Sequence, residues 1–83
     1  MQLKLITPTE QTFAGEISSA TFPGSLGQMT ILPGHTSLVS SLCAGLLKIN
    51  SANGVQEFEL GKGLVEVKDN EVTVLVHSAA AVS

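Results

Sequence analysis

Leu64-Val65-Glu66-Val67-Lys68-Asp69-Asn70-Glu71-Val72-Thr73-Val74-Leu75 is the stretch that decides the fold. Apolar and polar residues alternate on both sides of Asp69-Asn70, which is the period of a β-strand. Counted outward from a two-residue turn at Asp69-Asn70, Val67 meets Val72 and Val65 meets Val74 on one face. Lys68 meets Glu71 on the other. The apolar pairs and the charged pair agree on one register, which is stronger support for a hairpin than the turn residues alone. Leu64 and Leu75 fall on the outward face beside Glu66 and Thr73, so that face is partly apolar and a candidate contact surface.

The same count applies upstream at Asn53-Gly54, a pair suited to a two-residue hairpin turn because both central positions need positive φ. It places Ile49 opposite Phe58, Leu47 opposite Leu60, and Lys48 opposite Glu59. Toward the N-terminus, Leu3 and Leu5 alternate with Gln2 and Lys4 in a strand that stops at Thr7-Pro8. A longer run covers residues 12–22, where Phe13, Gly15 and Ile17 share one face and Ala20 and Phe22 take the opposite phase. That change of phase near Ser18-Ser19 implies a bulge or a bend. Met29 and Ile31 mark a short strand ending at Pro33. Residues 36–45 fit a strand by Leu38, Ser40 and Leu42, and one helical turn by Leu38, Val39 and Leu42; the Ser and Thr content favours the strand. The tail, residues 78–83, is built of small side chains and is too short to hold a helix in water. Repeated hairpins without helices predict an all-β fold, an antiparallel β-sandwich or flattened barrel of short strands.

A chain of 83 residues has room for a single domain, residues 1–83, with a thin core. Four lysines and no arginine against seven carboxylates give a net charge of −3. That excludes the basic stripe of a nucleic-acid binder. No run reaches the ~18 apolar residues of a membrane helix, so direct membrane insertion is not expected. A secretory leader is not expected either, because no lysine-led apolar segment opens the chain. The single Cys43 excludes an internal disulfide framework and suits a reducing compartment. Without Trp or Tyr, and with three Phe, stacking platforms for sugars or bases are not expected.

His35, His77 and Cys43 are the only side chains that ordinarily titrate between about pH 5 and 9. They do not make a four-ligand zinc pattern, and neither a metal nor another cofactor is expected. Cys43 lies between Leu42 and Ala44 and is expected to be a small buried hydrophobe rather than a nucleophile paired with His35. His35 follows Pro33-Gly34 on a loop, either as an exposed polar residue or as a partner contact; His77 is expected at a solvated strand end. Glu57, Glu59, Glu66 and Glu71 alternate with apolar residues, as on a solvated sheet face. Gly61-Lys62-Gly63 lacks the spacing of a phosphate loop and is expected to be a flexible corner between strands. Little is left for an active site, which favours a binding or structural module.

The order of motifs along the chain resembles the N-terminal β-sandwich of the epsilon subunit of F-type ATP synthase. The matching residues are Leu5-Ile6-Thr7-Pro8, Phe13-Ala14-Gly15-Glu16, Phe22-Pro23-Gly24, Leu26-Gly27 and Ile31-Leu32-Pro33-Gly34-His35. Further on they are residues 42–45 with Leu47, then Gly63-Leu64-Val65-Glu66-Val67, Asn70 and Val72-Thr73-Val74-Leu75. The resemblance implies two packed antiparallel sheets and a non-catalytic rotor subunit in the central stalk of a proton-translocating synthase. Such a subunit binds the gamma subunit and the c-ring, couples ion flow to ATP synthesis, and sits peripherally on the cytoplasmic face of the cell membrane. The implied ring-facing loop is Ser25, Leu26, Gly27 and Gln28, with Gln28 where many relatives carry an acid. The implied gamma-facing positions are Thr7, His35 and Ser40. Thr30 stands where family members often have Gly, and Gly61-Lys62-Gly63 where a Gly-Gly-Phe triplet is common. The usual member continues past the position of Ser83 with a helical hairpin that carries ATP binding and inhibition of hydrolysis; neither activity is expected of these residues. The competing expectation is a lipoyl or biotinyl carrier domain modified on Lys68, although Lys68 flanks the turn instead of occupying its tip.

Overall fold

The computed structural model describes residues 1–82, and every helix or strand in it is a β-strand. In chain order these are β1 (Gln2–Ile6), β2 (Gln11–Glu16), β3 (Ser19–Gly24), β4 (Gly27–Ile31), β5 (Leu38–Leu42), β6 (Gly45–Ser51), β7 (Gly54–Leu60), β8 (Gly63–Lys68), β9 (Glu71–Val76) and β10 (Ala79–Val82). They pair as one layer, β10-β7-β6-β3-β4, and a second, β5-β8-β9-β1-β2, joined where β3 meets β5 at Gly24 and Leu42. The result is the expected sandwich, bent from a nearly closed sheet. β1 runs parallel to β9, while the other neighbours are antiparallel.

Alternation along each strand sends one face into the space between the layers. Phe22, Leu47, Ile49 and Phe58 enter it from one layer, and Leu3, Leu5, Val65 and Val74 from the other. Each such side chain contributes about 1.5–3 kcal/mol by leaving water, and together they are what holds the layers face to face. Phe13 of β2 meets Phe58 of β7 edge-on across the gap, with ring centroids 5.9 Å apart.

The β8–β9 hairpin has the register expected of it, with Val67 opposite Val72 and Lys68 opposite Glu71. Asp69 and Asn70 hold φ of 52° and 64°, the twisted turn that matches right-handed strands. The β6–β7 hairpin departs from expectation by two residues. Leu47 faces Phe58, Lys48 faces Glu57, and the ladder closes at Ser51 and Gly54. The chain reverses at Ala52-Asn53, and positive φ falls on Gly54 (110°) and not on Asn53.

The change of phase near Ser18 is a crossing between layers: β2 ends at Glu16, and β3 begins at Ser19 in the opposite layer. Residues 38–42 form a strand, with Leu38 and Leu42 directed to the core. The tail is also a strand. Ala79–Val82 docks along the open edge of β7, pairing Ala79 with Leu60 and Val82 with Glu57. An available sheet edge decided that segment, not the helix propensity of alanine; Ser83 lies outside the described residues. The Met1 ammonium is hydrogen-bonded to Glu16 and, through that bond and its charge, holds the Glu16 carboxyl below the usual carboxylate range.

Because strands alternate in direction, the connections gather at two ends. Residues 7–10, 25–26, 43–44, 61–62 and 77–78 lie at one, here the Ser25 end. Residues 17–18, 32–37, 52–53 and 69–70 lie at the other, the Asn70 end.

Candidate functional site

The outward faces of the two layers differ. On the β10-β7-β6-β3-β4 layer, Lys48, Glu57 and Glu59 share the outward side with exposed Leu46 and Val55, each of which is paired with a polar residue (Glu59 and Asn50), and the Thr21 and Thr30 hydroxyls lie 3.1 Å apart. On the other layer, the pairings Leu64–Leu75 and Leu75–Ile6 set three aliphatic side chains side by side on β8, β9 and β1. Leu64 is 38% and Leu75 44% exposed, and Val39 on neighbouring β5 is 67% exposed one row away. The row of Leu64, Leu75 and Ile6 runs into a shallow groove of about 380 Å³ lined by Ile6, Thr7, Pro8, Lys62, Leu75 and His77. Leu64 and Leu75 were legible in the sequence. Ile6 and Val39 were not, because their place in the patch depends on β1 lying beside β9 and β5 beside β8.

The positions singled out by resemblance are spread over the molecule. Thr7 follows Ile6 at the Ser25 end and lines the groove. His35 is exposed at the Asn70 end, where its NH donates to Leu32 O (3.1 Å) and its Nδ1 donates to Thr36 O (2.7 Å). The adjacent Gly34 NH donates to Asn70 Oδ1 (3.2 Å), tying this loop to the β8–β9 turn. Ser40 is half-buried on the same side of β5 as Leu38 and Leu42, and Val39 and Ser41 take the outward side.

Ser25 and Leu26 form the β3–β4 turn, closed by the pairing of Gly24 with Gly27. Ser25 is fixed to β5 twice: its NH donates to Ser41 O (3.2 Å), and the two hydroxyls are 2.8 Å apart. Leu26 is fully exposed at the tip (105%), and Gln28 is exposed on β4.

Cys43 is exposed, contrary to the buried position expected from its apolar neighbours. The β5–β6 connection turns its thiol outward over β3, where Sγ lies 3.2 Å from Pro23 O. It sits at the Ser25 end and His35 at the Asn70 end, so the two do not form a nucleophile–base pair. His77 is exposed between β9 and β10 instead of ending the last strand. Lys68 lies opposite Glu71 beside the turn, whose tip is Asp69-Asn70. The Gly61-Lys62-Gly63 corner is tightly packed: a Cβ on Gly63 would stand 2.0 Å from Leu75 O and 2.7 Å from Val76 Cα. Glycine is needed there for backbone approach, a reason that an expectation of mere flexibility did not supply. Among the described residues, no three His, Cys, Asp or Glu side chains gather as a metal site, and no helix is long and apolar enough to cross a membrane.

Fold and surface together place the chain among antiparallel β-sandwiches with aliphatic side chains exposed on their outer faces. The pattern of the ATP synthase, Delta/Epsilon chain, beta-sandwich domain matches residues 1–82, and the chain belongs to that family. It is 37% identical over 79 residues to the ATP synthase epsilon chain of Synechococcus sp. (strain CC9311), covering 95% of this chain and 58% of that one. It is 42% identical over 81 residues to the epsilon chain of Bordetella petrii, covering 95% and 57% respectively. The chain thus spans somewhat under three-fifths of the length of these curated relatives. In fold it is similar to a chain of the Euglena gracilis mitochondrial ATP synthase solved with OSCP, F1 and c-ring, with a TM-score of 0.88 at 24% identity over 95% of this chain and 51% of that one.

Proposed function

We propose that the chain serves as a central-stalk rotor module of a proton-translocating F-type ATP synthase, held between the gamma subunit and the c-ring, where it transmits torque without making or breaking bonds. It works on the cytoplasmic face of the cell membrane, attached through its protein neighbours. The observation that carries this reading is membership of the ATP synthase delta/epsilon family along residues 1–82. The geometry supports it with two separate contact regions on one stiff body. The apolar row of Leu64, Leu75 and Ile6 suits a broad side contact with gamma, and the Thr7 groove extends it. The Ser25–Gln28 turn, at one end, suits the ring. A sandwich whose ladders fix register resists sliding between the two, which torque transfer requires.

The test is co-purification with gamma from the same cells. Burial of two leucines is worth several kcal/mol, so the double variant Leu64→Asp/Leu75→Asp is expected to weaken gamma binding by at least about 100-fold while its melting curve stays cooperative. A wild-type chain that fails to bind gamma, or a double variant that binds as well as wild type, overturns this reading of the side contact.

A further inference from the structure

We propose that the groove beyond the Leu64–Leu75–Ile6 row is a carboxylate pocket, in which Lys62 and His77 receive an Asp or Glu side chain that gamma carries beside its apolar contact. The inference rests on the side contact proposed above and specifies its polar end. Three of the four lysines have a carboxylate within reach in the ladder: Lys48 lies opposite Glu57, Lys68 opposite Glu71, and Lys4 diagonal to Glu16 and Glu71. Lys62 has none. It stands in a connection between Gly61 and Gly63, and the one ion pair among the described residues joins Met1 to Glu16. Glu10 is the sole carboxylate in the connections at the Ser25 end; it is exposed and is not paired with Lys62.

The backbone fixes where the two basic side chains stand. Gly61 N donates to Ser78 O (3.0 Å) and His77 N donates to Lys62 O (2.9 Å), lacing the β7–β8 connection to the β9–β10 connection. Gly63 then runs against Leu75 O, so the corner has no room to spread. Lys62 and His77 are thus held together at a groove whose other lining includes Ile6, Pro8 and Leu75, and little ordering is left for binding. The Thr7 side of the groove satisfies itself: Thr7 N and Thr7 Oγ1 both donate to Glu10 O (2.9 and 3.2 Å). A partner therefore meets an unpaired ammonium and an imidazole beside aliphatic surface.

Charge complementarity selects the occupant. The ionisable side chains lining the groove are both basic, and a carboxylate can accept from Lys62 Nζ and from the imidazole N–H at once. The groove is shallow and continues the apolar row, so a protein segment lying on Leu64 and Leu75 reaches it without a change of course. A free nucleotide fits poorly. The groove has no aromatic face for a base, and for phosphates it has one lysine and no helix N-terminus.

The experiment measures the affinity of the full chain for gamma from the same cells, and its retention on c-ring–gamma assemblies, at about 50 mM and about 300 mM salt. The variants are Lys62→Gln, Lys62→Glu, Lys62→Arg and His77→Ala, with Lys48→Gln as control. The Lys62 side chain is bonded to nothing in its own chain, so its variants should melt as wild type. At low salt, Lys62→Gln should weaken gamma binding about five-fold and Lys62→Glu about thirty-fold or more. His77→Ala should cost about two- to three-fold, and Lys62→Arg and Lys48→Gln should stay within about two-fold of wild type. Added salt should narrow the gap between wild type and Lys62→Gln. Binding of Lys62→Glu as tight as wild type, or a gap that salt leaves unchanged, overturns the pocket; the rotor reading stands if Leu64→Asp/Leu75→Asp still loses gamma. Lost ring retention by Lys62→Glu with gamma binding unchanged overturns it in favour of an acid on the ring. Binding of ATP to the wild-type chain but not to Lys62→Gln overturns it in favour of a nucleotide. A wild-type chain that fails to bind gamma fails at the side contact, and the pocket falls with it.

Discussion

The β8–β9 and β6–β7 hairpins each reverse in two residues, yet they set their registers by different means. At Asp69-Asn70 both turn residues sit in the left-handed region, and the ladder closes directly on Lys68 and Glu71. At Ala52-Asn53 the positive φ is carried by the residue after the turn, Gly54, and Ser51 stitches the reversal: its Oγ accepts from Asn53 N (3.3 Å) and donates to Gly54 O (3.4 Å). The first hairpin is therefore pinned inside its turn and the second just outside it. A displacement of two residues keeps every side chain on its own face, so burial of Leu47, Ile49, Phe58 and Leu60 is compatible with either register. Local backbone chemistry chooses between them.

The pinning of β8–β9 also extends to its far end, where Gly63 lets β8 approach Leu75 O and Val76. Gly63→Ala should therefore have the largest effect, a destabilisation of about 3 kcal/mol in urea unfolding, because backbone and not a pliant side chain must move. A loss below about 1 kcal/mol would show that the hairpin spreads freely there. At the turns, Asn70→Ala should destabilise by about 1–2 kcal/mol, combining alanine's poorer tolerance of left-handed φ, which the short polar side chain of asparagine eases, with loss of the Gly34 hydrogen bond. Asn53→Ala should change stability by no more than about 0.5 kcal/mol, since Asn53 has no such φ to maintain. Equal effects at Asn70 and Asn53 would remove the distinction between the hairpins.

The sequence disclosed what alternation and turn chemistry encode locally. The β8–β9 register, the β1 strand and the inward set of Leu3, Leu5, Val65 and Val74 follow from a period of two. What it concealed depends on distant pieces of chain. The strand at Ala79–Val82 exists because β7 offers an edge, and three alanines carry no signal for it. The outward patch acquires Ile6 only through the parallel pairing of β1 with β9, a contact between the two ends of the chain that no local pattern announces. Cys43 has a buried residue's neighbours in sequence, but the corner between β5 and β6 turns it to solvent. Of the proposed contact surfaces, Leu64 and Leu75 could be placed from their hairpin. Leu26 could be placed on a loop, but its complete exposure emerges only from how the β3–β4 turn stands off the rest of the fold.

The smallest expected effect decides the β6–β7 register in solution. Lys48 stands opposite Glu57, whereas Glu59 stands opposite Leu46, one step further along the outward face. Directly opposed charges on a solvated strand pair couple weakly but measurably, and diagonal neighbours couple less. A double-mutant cycle on Lys48→Ala and Glu57→Ala should return about 0.2–0.5 kcal/mol at low salt, diminishing as salt is added. The same cycle on Lys48 and Glu59 should return a value closer to zero. Since a two-residue slip would exchange these partners while leaving the core undisturbed, a stronger coupling to Glu59 would mean that Asn53-Gly54, not Ala52-Asn53, forms the turn in solution. Ser51 and Gly54 would then have lost their hold on the register.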